Sequence, residues 1–426
     1  MKSSKYKQYY KEVDYIESLS NLSNKHNYLI NMDNPEVYLK RMRHFLDLLG
    51  NPDRGLRFIH ITGTSGKGTV TNMIHEVINC SGQKVGSFTS PFVTTSIEKI
   101  KVNNKYISTT DFVKIVKKLK PFIKKMTSSE YGGVSYFEVF FAISLLYFKQ
   151  QKCDWVVLEV GLGGRYDATN VIEKPIITAI TNIDYDHTDI LGKTLTKIAR
   201  DKSGIIKSDS VFFTSEKRRS VLNIFKNTCN QYNVKFNTIP ISKDYMNNNI
   251  SLVKAISKEL GIKDTYINNG ISSARLQCRF ELIKNNPKII IDGAHNKAKI
   301  KSTLDNLKKI KYNKLHLVLA ISQNKDHLAI IKQLIPKADY IYFTEFKNSF
   351  RKSADALNLL ELSRNYIKPN ARFFVDNNSK KALDLAIKNS KTDDVILATG
   401  SFFLAGEIRK VWHPEESVLD RRNAFN

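Results

Sequence analysis

The stretch Gly63-Thr64-Ser65-Gly66-Lys67-Gly68-Thr69 constrains this chain most. Before it, Leu56-Arg57-Phe58-Ile59-His60-Ile61 is apolar and β-branched enough to be a buried strand. After it, Val70, Met73, Ile74, Val77 and Ile78 recur at the spacing of one helix face, and Gly82 supplies a stop. A glycine-rich loop between a strand and a helix N-terminus turns backbone N–H groups toward an anion, and the helix dipole favours negative charge there. Lys67 would reach the β/γ-phosphates, with the Thr69 hydroxyl facing a phosphate or a metal. The usual loop reads G-x-x-x-x-G-K-[ST]. Here Ile61 stands at the first glycine position, and Gly68 separates Lys67 from Thr69. A solvated Gly-Lys turn is the plain alternative, and the flanking strand and helix argue against it.

A chain of 426 residues is too long for one ordinary core, so two domains are expected. With 42% hydrophobic and 25% charged residues it is globular, which favours an ordered enzyme. The net charge of +26 invites a nucleic-acid reading. The lysines are dispersed, and no aromatic-basic recognition module is visible, so no nucleic-acid partner is expected. The positive field would instead help small anionic substrates arrive. Cys80, Cys153, Cys229 and Cys278 show no C-x-x-C spacing, which speaks against a zinc cluster or disulfide framework and for a reducing cytoplasm. From the polar N-terminus no signal peptide is expected, and the longest strongly apolar run, Val139 to Phe148, is too short to span a bilayer. No membrane partner is expected.

Residues 1–30 read as helix and loop, and Asn34-Pro35-Glu36 opens a helix with Asn34 as cap, stopping at Gly50. Further strands are predicted at 84–89, 154–160, 176–183 and 211–213, with a short hairpin within 97–107. Helices are predicted at 111–126, 136–148 and 195–206. From about residue 276 a second unit has strands at 288–291, 315–321, 340–343 and 395–398. Its helices fall near 297–309, 326–335, 353–366 and 379–389. The fold class is α/β: an N-terminal phosphate-loop domain with a mostly parallel sheet (residues 1–275), then a smaller Rossmann-like α/β domain (residues 276–426). The tail from 412 shows no legible chemistry.

Four predicted strand ends carry polar groups: Thr69, Ser90, Glu159 and His187. Ligands bind at the carboxyl edge of such sheets, and magnesium prefers hard oxygen donors. Glu159 follows four apolar residues and needs a partner, either a metal or Arg165. From the residues alone, His187 is as readily a structural hydrogen-bonder as a ligand.

Together these stretches resemble the folylpolyglutamate synthase / dihydrofolate synthase branch of the Mur-type, ATP-dependent amide ligases. The matching stretches begin with the loop at 63–69, Thr89-Ser90-Pro91-Phe92 and Ser135-Tyr136-Phe137-Glu138. Glu159-Val160-Gly161-Leu162-Gly163-Gly164-Arg165-Tyr166-Asp167-Ala168-Thr169-Asn170 is the longest and most specific. Asp186-His187, Asp201-Lys202-Ser203-Gly204-Ile205, Asp292-Gly293-Ala294-His295-Asn296 and Gly400-Ser401 follow in the family's order.

The resemblance implies that 63–69 cradles ATP and that Thr69, Ser90, Glu159 and His187 organise Mg²⁺. Lys202 matches a carbamylated lysine that can help hold a second metal; otherwise it would be an ordinary surface lysine. Arg279 matches an interdomain, phosphate-contacting arginine, Asp292 and His295 approach the nucleotide, and Asn249 falls on the adenine side. Ser135, Tyr136, Phe137 and Glu138, with Arg165, Asp167, Thr169 and Asn170, match the wall of the pterin or folate site. Ser65, Phe92, Lys99, Gln277-Cys278 and Lys297 depart from the family's usual residues. None removes a phosphate or metal ligand, but the pterin-side changes blur which folate form is accepted.

The expected activity is ATP-dependent addition of L-glutamate to a folate or dihydropteroate carboxylate through an acyl phosphate, releasing ADP and phosphate. Lys67, Lys202, Arg279 and His295 are the candidate catalytic residues. A monomer is expected. A Mur-type ligase acting on a cell-wall nucleotide precursor is a second reading. A phosphate-loop switch or kinase is a third, and it leaves the second domain unexplained.

Overall fold

The structure is a computed structural model, and it describes residues 4–19, 35–242, 244–348 and 351–425. Asn34 and the loop expected before it lie outside the described residues. The first described cap of that helix is Pro35.

The chain clusters into two compact units whose main border falls between Arg275 and Leu276. Val93–Thr95, Ala424 and Phe425 group with the second unit, and Arg421–Asn423 with the first.

In the first unit the strands are β1 (Arg57–Thr62), β2 (Val85–Phe88), β3 (Ile100–Val102), β4 (Lys105–Tyr106), β5 (Trp155–Glu159), β6 (Ile177–Ile180), β7 (Val211–Thr214) and β8 (Lys235–Thr238). Their order is β4-β3-β2-β5-β1-β6-β7-β8. Strands β2 to β8 across the sheet run parallel, and the β3–β4 hairpin joins antiparallel at one edge. β1 and β5 are almost entirely buried, so they read as continuous apolar runs rather than alternating ones. The helices are α1 (Lys7–Leu19), α2 (Glu36–Leu48), α3 (Lys67–Cys80), α4 (Thr109–Thr127), α5 (Tyr136–Gln150), α6 (Thr188–Leu191), α7 (Leu195–Ser203), α8 (Arg219–Gln231), α9 (Tyr245–Glu259) and α10 (Asp264–Ser273). One face of the sheet packs its Ile59, Ile61, Val157 and Ala179 against Val70, Ile74 and Val77 of α3 and Leu252, Val253 and Ile256 of α9. α5 is apolar around most of its circumference and buried along most of its length.

The second unit has β9 (Glu281–Asn285), β10 (Lys288–Ile291), β11 (Leu315–Leu319), β12 (Tyr340–Phe343), β13 (Arg372–Val375) and β14 (Val395–Thr399). They lie in the order β13-β12-β11-β14-β10-β9, parallel except for β9. Its helices are α11 (Lys297–Leu307), α12 (His327–Leu334), α13 (Ala356–Ser363), α14 (Ser379–Asn389) and α15 (Phe402–Arg409), followed by α16 (Glu415–Arg421) in the tail that showed no legible chemistry.

Strands β8, β9 and β13 and helices α6, α8 to α10, α15 and α16 are additions to the sequence reading. β8, β9 and β13 are half-exposed strands rich in Lys, Asn and Arg, so they lack the buried apolar run that marks a central strand. The predicted strand at 176–183 is only four residues long; beyond it the Thr181 hydroxyl, Asn182 and Asp184 bond the phosphate loop.

Candidate functional site

In the first unit the loops after β2, β5, β1, β6 and β7 leave neighbouring strands at the same carboxyl edge. That edge gathers Ser90, Glu159, the phosphate loop, His187 and Glu216 from distant stretches of sequence.

The phosphate loop is fixed mostly by backbone. Gly66 precedes α3 with φ 87°, a left-handed conformation suited to glycine. A Cβ there would lie 2.6 Å from Asn249 Oδ1, so α9 presents Asn249 directly against the loop. Lys67 Nζ donates to the Gly63 carbonyl at 2.9 Å, curling its charge over the loop. The N–H of Thr64 donates to the Asn182 carbonyl (2.8 Å), and that of Ser65 to Asn182 Oδ1 (2.9 Å). Thr181 Oγ1 donates to the Ser65 carbonyl (2.6 Å), while Thr64 Oγ1 bonds both the N–H and carbonyl of Asp184. Thr69 lies in the first turn of α3, not at a strand end as the sequence suggested.

Glu159 ends β5 and is 6% exposed. Its Oε2 accepts the Ser90 N–H at 3.1 Å. Both carboxylate oxygens lie 3.3 Å from where a Gly68 Cβ would stand, so the absence of that carbon lets the carboxylate meet the start of α3. Among the described residues no three His, Cys, Asp or Glu side chains cluster as a metal site. One carboxylate against the Ser90 backbone and the start of the helix that carries Thr69 does fit magnesium, which takes hard oxygen donors and keeps several waters and substrate phosphates. His187 sits in left-handed backbone (φ 51°) at the cap of α6, with Nε2 3.9 Å from Asp186 Oδ1.

The run after β5 is a close-packed corner. A Cβ on Gly164 would come within 2.8 Å of the Lys202 backbone, and one on Gly161 within 2.6 Å of the Phe137 ring. The buried Asp167 carboxylate accepts the N–H groups of Leu162 (2.9 Å) and Thr169 (3.0 Å) and the Thr169 hydroxyl (2.5 Å). Thr169 Oγ1 also pairs with His60 Nε2 at 2.8 Å; burial, then the Lys207 charge, pushes the His60 pKa down to about 3, so its ring is neutral. Asn170 donates to the Arg165 and Gly204 carbonyls. Asp167, Thr169 and Asn170 therefore use these polar groups to shape the corner, while Arg165 is exposed.

Lys202 is buried, with Nζ 3.5 Å from the Gly163 carbonyl. Burial, helped by the Lys67 charge, lowers its pKa to about 7, against the pull of Asp201, Asp186 and Asp167. This differs from the ordinary surface lysine that was the plain alternative.

Ser135 caps α5 by accepting the Glu138 N–H, while Glu138 accepts the Ser135 N–H at 2.7 Å. Arg41 of α2 grips the same carboxylate through two 2.9 Å bonds. These two polar groups thus anchor α5 and leave Tyr136 and Phe137 as its half-buried aromatic pair.

In the second unit, β10 and β14 are neighbours, and the Gly400 N–H donates to the Ala294 carbonyl (3.1 Å). Asp292 is buried and accepts Phe280 N–H (2.7 Å), Ala294 N–H (2.8 Å) and the Thr303 hydroxyl (2.9 Å). Burial raises its pKa, and nearby Arg279 opposes this. His295 meets the Gly293 carbonyl through Nδ1 and Lys299 Nζ through Nε2. The exposed Arg279 packs its guanidinium 5.2 Å from the Phe402 ring, between Cys278 and Phe280, both in left-handed backbone.

Thr181, Asn182, Asp184, Glu216 and Arg218 were not singled out from sequence. The only signal was their place just past the ends of β6 and β7.

Residues 61–283 match the Mur ligase middle domain, and residues 278–402 the Mur ligase, glutamate ligase domain. The dihydrofolate synthase/folylpolyglutamate synthase of Bacillus subtilis is 29% identical over 417 residues, covering 87% of this chain and 94% of the relative. That of Buchnera aphidicola subsp. Schizaphis graminum is 31% identical over 397 residues, covering 86% and 88%. The folylpolyglutamate synthase structure from Thermotoga maritima has a TM-score of 0.78 at 28% identity, covering 88% of this chain and 93% of that one. The chain thus belongs to the Mur ligase family, in its folylpolyglutamate synthase/dihydrofolate synthase branch, and is an ATP-dependent glutamate ligase.

Proposed function

We propose that this enzyme joins L-glutamate to both dihydropteroate and reduced folates. The support is that the Bacillus and Buchnera relatives carry both activities in their names. The observation that carries the site assignment is the convergence of the phosphate loop and the Glu159 carboxylate at Gly68.

In this reading the first unit (residues 1–275) holds ATP and the folate, and residues 276–426 form the glutamate ligase domain. Backbone N–H groups at 63–69 and the Lys67 ammonium bind the ATP phosphates, with Asn249 on the adenine side. Thr69, Ser90, Glu159 and His187 would hold Mg²⁺. When bound, the metal supplies positive charge against the phosphates. Lys67 shifts from the Gly63 carbonyl toward the charge that builds as the γ-phosphoryl moves to the substrate carboxylate. The amine of glutamate then displaces phosphate from the acyl phosphate and forms the amide.

Tyr136, Phe137 and Arg165 line the folate, while Ser135, Glu138, Asp167, Thr169 and Asn170 keep that wall in shape. Lys202, largely neutral near pH 8, is suited to add CO₂ and release a proton, which leaves an anionic carbamate that could help hold a second metal. Arg279, Asp292 and His295 keep the phosphate and nucleotide roles that the resemblance implies. A cytoplasmic monomer completes the reading. No described helix is long and apolar enough to cross a membrane.

The substrate assignment is tested by supplying dihydropteroate and tetrahydrofolate in parallel, with ATP, Mg²⁺ and glutamate. The reading expects a glutamylated product from each. Product from one alone would reduce the enzyme to a single activity.

A further inference from the structure

Just past β7 lies a carboxylate that touches none of the residues proposed to bind substrate. Glu216 is 3% exposed, and burial alone would raise its pKa. Five donors converge on it instead and hold it below its ordinary value. Oε1 accepts the N–H of Lys217 and of Arg218 and the Arg218 Nε, each at 2.9 Å. Oε2 accepts the Ile183 N–H at 2.9 Å and Arg218 Nη2 at 2.7 Å. The same Arg218 Nη2 donates to the Ile183 carbonyl. Ile183 is therefore clamped at both its N–H and its carbonyl by one ion pair.

Ile183 sits between the two residues that hold the phosphate loop. On one side Asn182 accepts the N–H groups of Thr64 and Ser65. On the other, Asp184 bonds the Thr64 hydroxyl through both backbone groups. Ser215, also just after β7, donates to the Thr181 carbonyl, and Thr181 donates to that of Ser65. Three residues past Asp184 comes His187, whose left-handed backbone needs its surroundings to hold it.

We propose that Glu216 and Arg218 are positioning residues, an ion-pair clamp on Ile183 that sets the geometry of the phosphate loop and of the segment carrying His187. The inference rests on the nucleotide site proposed above. The clamp reaches that site only through backbone, so its loss should weaken nucleotide binding while sparing the folate wall. It is also placed to act without touching substrate, since the contacts described for the two side chains beyond their own 216–218 segment run to Ile183.

The test is titration calorimetry of Mg²⁺·ADP into wild type, Glu216→Gln, Arg218→Met and Arg218→Lys, with near-UV circular dichroism confirming native packing. Glu259→Gln, which breaks an ion pair with Lys235 elsewhere in the unit, is the control. In Glu216→Gln and Arg218→Met the Kd should rise about tenfold, the size of one lost charge-assisted bond. Arg218→Lys should fall in between, and the control should match wild type. In steady state the KM for ATP should rise while that for the folate substrate holds, a split that general loosening would not give. A natively packed Glu216→Gln with wild-type affinity would overturn the proposal. If that variant does not fold, wild-type affinity in Arg218→Met would overturn it equally. Wild-type protein that binds no Mg²⁺·ADP would instead overturn the nucleotide site itself, and this clamp with it.

Discussion

Lys202 shows how burial converts a common residue into an unusual one. Its cation lacks water and faces the Lys67 charge, so its pKa falls to about 7 from the usual 10.5. Between those values the unfolded chain binds a proton that the native protein does not. Stability contributed by this site therefore rises with pH across that window, and the full penalty is present below about pH 7. In CO₂-free buffer, Lys202→Met should be more stable than wild type near pH 6, and the gap should shrink as pH rises. Urea unfolding at several pH values checks this; a gap that widens toward pH 9 would refute it. Lys202 was legible in sequence only through the family resemblance, because burial is a property of the corner that Gly163 and Gly164 make around it. Apart from its neighbour Asp201, its charge partners Lys67, Asp167 and Asp186 lie well apart from it in the chain, and spacing gave no access to them.

At the scale of elements, two features of the first unit carry sharp predictions. Glu138 and Arg41 are both buried and bonded twice. Arg41→Ala leaves the carboxylate unpaired and should cost about 3–5 kcal/mol in chemical denaturation. A loss below about 1 kcal/mol would mean that water replaces the arginine at little cost. Gly164 meets the Lys202 backbone so closely that Gly164→Ala must move α7 or the corner. It should cost about 1–3 kcal/mol, measured by urea unfolding, and an unchanged midpoint would contradict that close packing. The phosphate loop, β1, α3 and the buried strands were readable because apolar period and glycine placement are local signals. β8, β9 and β13 were not, since a half-exposed edge strand needs only a neighbour to pair with and no apolar run. Ser135 and Glu138 illustrate the same limit. Their S-x-x-E spacing is a capping box, and the structure uses it as one, with Arg41 supplied from 97 residues away.

Across the whole molecule, the parallel order of the first sheet explains why functional stretches scattered from residue 63 to 218 belong together. β1 sits between β5 and β6, so the loops that follow them share one edge with the phosphate loop. The family resemblance named most of those loops in advance. It could not reveal the braces behind them, such as Thr181, Asn182 and Glu216, because their work is done through hydrogen bonds to backbone. The net charge of +26 comes from lysines dispersed along the chain, so it describes a surface and not a site. The central claim is that Lys67 and its loop drive ATP-dependent glutamate ligation. It is tested most directly by ADP release from purified enzyme given Mg²⁺, ATP and the folate substrate, with and without glutamate, for wild type and Lys67→Ala. The account predicts release that depends on glutamate in wild type and falls about 100-fold or more in the variant. Full glutamate-dependent turnover by Lys67→Ala would contradict it.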